Sequence, residues 1–200
     1  MSILFRKFMA AHNKTLLLYL LLLQSPVNAI AEPVVTTGYV YYQVSGHTAE
    51  DIWADIRKKS PVRHHGRLHV AYTKWNVDWK FWWHGSADDC RITKVTTALD
   101  VVYTLPELKP GLTLPDALMR QWERFYAALF GHEQGHKELG EKAAIEIENA
   151  IAGMAPRDSC ERLENAANET GKNVIDKYRL IEKDYDRSTR HGVNTGAVFP

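Results

Sequence analysis

The residues best suited to chemistry lie in GHEQGHKELG, which spans positions 131–140. His132 and His136 are separated by one helical turn, so on a helix they share a face and can aim their ring nitrogens at one point. Imidazole is a preferred zinc ligand, and two such rings supply half of a tetrahedral shell. Glu133 is rotated about a quarter turn from the first histidine. It can reach a water at the metal without being a ligand. Together the three residues form the H-E-x-x-H pattern, in which the carboxylate acts as general base. Gly135 stands between the histidines, where it costs about 1 kcal/mol relative to alanine. Its presence implies that something, a strand or a substrate backbone, comes close to the helix there.

These residues need a long helix to position them, and the sequence supplies one. From the Thr113 cap region, with Pro115 and Asp116 in the first turn, nothing stops a helix before about Gly153. Leu118, Trp122, Leu129, Ala143, Ile147 and Ile151 share one side with the two histidines, which therefore face inward. After a turn at Gly153–Pro156, a second helix starts at Asp158 or Ser159. Its apolar stripe is Leu163, Ala167, Val174, Tyr178, Ile181 and Tyr185. Two long helices joined by a short turn form an antiparallel hairpin.

The first half of the chain reads as strands. Val34–Val44 is rich in β-branched and aromatic residues. A short helix follows, capped by Thr48 with Asp51 and closed at Ser60-Pro61. Trp75, Val77, Trp79, Phe81 and Trp83 alternate with polar residues, and Val95, Leu99, Val101, Tyr103 and Leu105 repeat the pattern. A period of two marks half-buried strands in an antiparallel sheet. The tryptophan face reads as core, or as one wall of a binding groove. His69 and His84 bracket that strand as edge residues. The expected fold is α+β, with a small antiparallel sheet packed on a long helical hairpin in a zincin-like arrangement.

A catalytic zinc needs a third protein ligand and one open position. A hairpin turn centred near residue 155 would set the histidines level with about residues 174–178, where Asp176 should face away. Glu161 and Glu164 lie too near the turn. The region beyond the second helix can fold back and offers His191 and Asp186. His191 is the favoured ligand on chemistry. Asp186 is the alternative ligand, or the group that orients a ligand histidine. Tyr185 either packs on the hairpin or donates a hydrogen bond to a developing oxyanion.

Composition bounds the rest. MSILFRKFMAAHNK is basic, Leu16–Leu23 is apolar but too short to span a bilayer, and Val27 and Ala29 occupy the −3 and −1 positions of a cleavage site. Residues 1–29 read as a signal peptide, leaving residues 30–200 as one domain in the periplasm or secreted, with no stable membrane insertion. Losing Arg6, Lys7 and Lys14 but no acidic residue turns the formal charge of +1 into −2, which excludes the basic footprint of a nucleic-acid binder. Cys90 and Cys160, the two cysteines of the chain, most simply form one disulfide in an oxidising compartment.

The chain resembles a bacterial family of predicted secreted zinc-dependent proteases, a domain family otherwise of unknown function. The resemblance rests on HEQGH (His132 to His136), Trp122 with Phe125, Cys90 with Cys160, and YDRSTRHG (Tyr185 to Gly192). It implies a zinc metallopeptidase acting on a peptide or protein substrate, with Glu133 as base, Tyr185 as a candidate catalytic group, and His132, His136 and His191 on Zn2+. The competing expectation is a non-catalytic envelope protein whose zinc site is structural and closed by Asp186, or absent.

Overall fold

The structure, a computed structural model, describes residues 32–64, 67–86 and 89–200, so the signal-peptide segment lies outside the described residues. The chain runs β1 (Val34–Val44), α1 (Ala49–Lys59), β2 (Arg63–His64), β3 (Arg67–Leu68), β4 (Tyr72–Ser86), β5 (Asp89–Leu108), α2 (Asp116–Ala152) and α3 (Cys160–Thr189). A 3-10 turn at Val193–Thr195 closes it. Among the described residues no helix is long and apolar enough to cross a membrane.

α1 follows from its ends. The Thr48 hydroxyl accepts from the Asp51 backbone N–H at 3.1 Å, Glu50 and Asp51 sit in the first turn, and Arg57, Lys58 and Lys59 in the last. Those charges complement the helix dipole, while Ile52 and Ile56 are fully buried.

The main sheet has three strands in the order β1-β5-β4 and is mixed. β4 and β5 form the expected antiparallel hairpin, but β1 pairs parallel with β5, from Val34 opposite Ala98 to Val44 opposite Leu108. This corrects the expectation of an antiparallel sheet, and the reason is strand order. β1 and β4 run in opposite directions, and β5 is inserted between them. Alternation fixes a strand's face but not its neighbour. β5 is the central strand, and Val95, Thr97, Leu99, Val101, Tyr103 and Leu105 point from it into the core.

The α2–α3 hairpin covers that face. Leu118, Trp122, Phe125, Leu129, Ala143, Ala144, Ile147 and Ile151 are buried along α2, as the helical period predicts. α2 begins later than the Thr113 cap region suggests. Pro115 occupies the cap position without a side-chain hydrogen bond, and its carbonyl accepts from Leu118 and Met119. The tryptophans of β4 bridge sheet and hairpin. Trp75 Nε1 donates to Glu182 at 2.7 Å and Trp79 Nε1 to Asn168 at 3.2 Å. The Trp79 ring lies over Gly171, where a Cβ would come within 2.7 Å of it.

Two further expectations about α3 need correction. Asp186 does not lie beyond the helix, which continues to Thr189, with Ser159 as its N-cap and Arg190 in the left-handed region. Its apolar stripe stops early because the last turns present polar groups to a site rather than to the core. The register is also displaced. Lys177 pairs with Glu146 at 2.7 Å, and Asp186 is the residue that meets His132. The link between the helices is not a tight symmetric turn. Arg157 exchanges two backbone hydrogen bonds with Cys90 at 2.8 and 2.9 Å, so the link is drawn out along β5 before α3 begins.

Cys90 and Cys160 form a disulfide with their Cα atoms 5.1 Å apart, closing a sequence separation of 70. It joins the start of β5 to the first residue of α3. Reducing it, or replacing both cysteines by serine, should lower stability by about 4 kcal/mol in the chain-entropy model. A urea midpoint unchanged by reductant would contradict this.

Candidate metal centre

α2 delivers His132, Glu133 and His136 to the inner side of the hairpin, where they are 4%, 4% and 8% exposed. Burial on this scale demands partners, since an unpaired buried polar group costs about 1–3 kcal/mol. α3 supplies them. Asp186 Oδ1 lies 3.2 Å from His132 Nε2 and 3.1 Å from His136 Nε2. One carboxylate oxygen is thus shared by two imidazoles. The ligand atoms of His132, His136 and Asp186 all lie within 4.8 Å of one another, which makes this triad a candidate metal site.

Each member is oriented from behind. Glu182 lies one turn before Asp186 on the same face of α3. Its Oε1 is 3.2 Å from His136 Nδ1 and also accepts from Trp75 Nε1. That contact turns His136 Nε2 toward Asp186. Thr189 Oγ1 stands 3.5 Å from His132 Nδ1. Thr73 on β4 donates to Glu133 Oε2 at 2.6 Å. Neither Glu182 nor Thr73 was singled out from sequence. Glu182 had a usable signal: with α3 carried to Thr189, it and Asp186 fall on one face at the helical spacing.

Gly135 has a definite cause, and it is neither strand nor substrate. The Tyr185 ring lies against it, and a Cβ there would sit 2.5 Å from Cζ. Tyr185 stacks on His132 with ring centroids 4.9 Å apart and meets His136 edge-on at 5.0 Å. Its hydroxyl donates to the His132 carbonyl at 3.2 Å. The side chain is therefore engaged in packing the histidines.

His191 reaches the site from the segment after α3. Its Nδ1 is 3.2 Å from Asp186 Oδ1, on a side chain 53% exposed. Its ring also meets His69 edge-on at 4.9 Å. The segment folds back, as expected, because Phe199 is buried against Trp122 and Phe125. Gly192, at φ 84°, lets the backbone pass over His132, where a Cβ would come within 3.2 Å of the ring. The converging set, however, contains Asp186 and not His191, the reverse of the order favoured from sequence. The displaced hairpin register explains it, since it brings an acidic residue of the helix itself to the histidines. Asp176 is not part of the triad; it lines the cleft wall, paired with Arg179 at 3.1 Å.

The electrostatics follow from these contacts. Burial pushes the Glu133 carboxyl above its ordinary range, and the Thr73 hydrogen bond opposes this only in part. Burial would lower His136, but the hydrogen bonds that its ring donates to Asp186 and Glu182 outweigh it and lift the ring to about 9. Burial alone would raise Asp186, yet its contacts with His132 and His136 hold it well below the usual carboxylate range. The centre thus gathers negative charge around two nitrogens, which suits a cation.

A wide cleft opens onto the triad. It encloses about 1110 Å3 between β4 and α3, and His132, Glu133, His136 and Asp186 line one end of it.

Fold and site together define an α+β protein with a long helical hairpin, carrying a buried two-histidine, one-carboxylate cluster at the head of a cleft. The chain belongs to the bacterial family described as "Bacterial protein of unknown function (DUF922)", whose model matches residues 39–192. Comparison with curated proteins gives no match, and neither does comparison with solved structures.

Two outcomes test the geometry. Asp186→Ala should abolish tight zinc binding and Glu182→Gln should weaken it about 10–100-fold, whereas His191→Ala should retain most of it. Competition with a fluorescent chelator measures all three, and equal losses for Asp186→Ala and His191→Ala would contradict the assignment. The second concerns pH. In metal-free protein His136 holds its proton to about 9, against about 6.5 when unfolded. Its ion pairs therefore stabilise fully below about pH 6.5, and that stability is lost as pH rises toward about 9. The urea midpoint of chelated protein should fall across this window. Saturating zinc should reverse the slope, because the ligating ring must be deprotonated.

Proposed function

We propose that the protein is a zinc-dependent peptidase working outside the cytoplasm. The observation that carries this reading is the pairing of a buried carboxylate with a preassembled triad. Glu133 stands beside His132, His136 and Asp186, and all four open onto one cleft. The donor set suits zinc, since two imidazoles and a carboxylate, with a position left open, are a catalytic ligand set. The spacing suits it as well. Donors at about 2.0–2.1 Å from a tetrahedral zinc lie about 3.3–3.4 Å from each other, close to the 3.1 and 3.2 Å found here.

His132, His136 and Asp186 would hold the ion. When bound, zinc supplies Lewis acidity, which acidifies water and polarises a carbonyl. The chain's own residues do the rest. Thr73 holds one oxygen of Glu133 in place, and among the described residues the other has no hydrogen-bond partner. That free oxygen takes the proton of the attacking water and returns it to the leaving amine. Its raised pKa serves both steps, since a carboxylate of ordinary acidity would be a weak base near neutral pH. Glu182 keeps His136 in one ring orientation throughout. The packing around the histidines excludes bulk water, which strengthens each of these interactions. The Cys90–Cys160 disulfide supports an oxidising compartment, periplasmic or extracellular.

A second reading is a non-catalytic protein whose metal site is closed by a fourth ligand. The 3.2 Å approach of His191 to Asp186 favours it. Glu133 separates the two. As a general base, Glu133→Gln should retain stoichiometric zinc and lose about 10²–10⁴-fold in peptide turnover. Metal analysis beside an assay on a mixed library of quenched fluorescent peptides measures both. Turnover in the variant equal to wild type would remove the catalytic reading.

A further inference from the structure

The cleft continues well beyond the metal centre, and its two long walls differ. One wall is β4, an edge strand whose backbone, among the described residues, pairs only with β5. The other is the face of α3 from Lys172 to Arg190. At 1.5 Å per residue that face is about 27 Å long, room for about eight residues of extended chain at 3.3 Å each.

The charges along α3 are not spread evenly. On its outer face each basic residue has an acidic partner: Arg162 with Asp158, Lys177 with Glu146, and Arg187 with Asp184. On the cleft wall Arg179 and Asp176 satisfy each other. Lys172, Lys183 and Arg190 also line the cleft, and among the described residues none of them has an acidic partner. Across from them, Lys74 and Asp78 of β4 offset one another in charge. The carboxylates at the head of the cleft are already engaged, Glu182 by His136 and Trp75 and Asp186 by the histidines. The wall that meets an incoming chain is therefore positive, on a protein whose overall charge is close to neutral. A charge-lined cleft with low-dielectric walls concentrates ligands of the opposite sign.

We propose that the cleft binds an extended, carboxylate-rich peptide, which lies along the free edge of β4 with its acidic groups against Lys172, Lys183 and Arg190. The proposal rests on the peptidase reading and names the substrate class for that site. Backbone hydrogen bonds to an edge strand are indifferent to sequence, so selectivity falls to the wall opposite. The strand supplies affinity for any extended chain, and the three cations choose among chains.

The test uses the zinc-loaded full chain carrying Glu133→Gln, so that peptides are held and not cleaved. Three labelled ten-residue peptides differ only in carrying Glu, Gln or Lys at alternate positions, and fluorescence anisotropy reports binding. At low ionic strength the Glu peptide should bind about tenfold tighter than the Gln peptide. The Lys peptide should bind weakest, and the spread should shrink with added salt. Adding Lys172→Glu with Lys183→Glu should invert the order. Arg162→Glu with Lys177→Glu makes the same change in net charge on the outer face and should leave the order intact. Equal binding of the Glu and Gln peptides, no binding of either, or inversion by the outer-face pair would overturn the proposal. Cleavage assays with the unmutated chain separate the two claims. Charge-selective binding without cleavage rejects the hydrolase and keeps the cleft assignment. Cleavage without charge preference does the opposite.

Discussion

One oxygen of Asp186 is shared by two imidazoles from another helix, and the geometry of the whole hairpin is set by the need to make that contact. A carboxylate oxygen between two ring nitrogens at 3.1 and 3.2 Å tolerates little displacement. α3 must therefore pass α2 at a fixed height and rotation. A slip of one residue along α3 would move Asp186 by about 1.5 Å and turn it by about 100°, which breaks both contacts. Several features that look unrelated serve this register. The disulfide and the Cys90–Arg157 bridge fix where α3 begins. Trp75 and Trp79 pin α3 to β4 at two heights. Gly135 lets the Tyr185 ring come close enough to clamp both histidines.

The two sides of the site are built to different ends. On the α3 side, Asp186 and Glu182 give the histidines hydrogen-bond partners and a negative field. Glu133 faces the other way, toward β4, where a hydroxyl is its main support and burial dominates. Two carboxylates on facing helices, Glu133 and Asp186, are thus driven in opposite directions, one toward a proton and the other toward permanent ionisation. Environments that push neighbouring acids apart in this way separate a ligand from a proton carrier. Sheet and hairpin must both be present for that separation to exist, because each contributes the surroundings of one carboxylate.

Much of this was legible in the sequence. The histidine spacing, the inward stripe of α2 and the alternation in β4 and β5 are local patterns, and local patterns report which face is buried. Pairing is not local. β1 could not be assigned beside β5 from its own residues, because nothing in Val34–Val44 distinguishes a parallel from an antiparallel neighbour. The choice between His191 and Asp186 beside the two histidines depends on pairing in the same way. The register of the hairpin depends on how residues 153–159 are drawn along β5, a contact between segments far apart in sequence. Once α3 is known to continue to Thr189, Glu182 and Asp186 fall on one face, and the donor set becomes readable.

That same displacement has a consequence for the cleft. Had the histidines met α3 near residues 174–178, the helix would extend about equally far on both sides of them, and the site would sit midway along it. With Asp186 as the contact, the triad lies near the C-terminal end of α3, and the length from Lys172 onward becomes a wall on one side only. The cleft is consequently asymmetric. It is closed near the metal centre by the returned C-terminal segment, anchored by Phe199, and long in the other direction. A chain entering such a groove has most of its contacts on one side of the bond at the metal centre. Binding energy gathered along β4 and α3 is then available to position that bond, as the remote parts of a substrate orient its reacting centre.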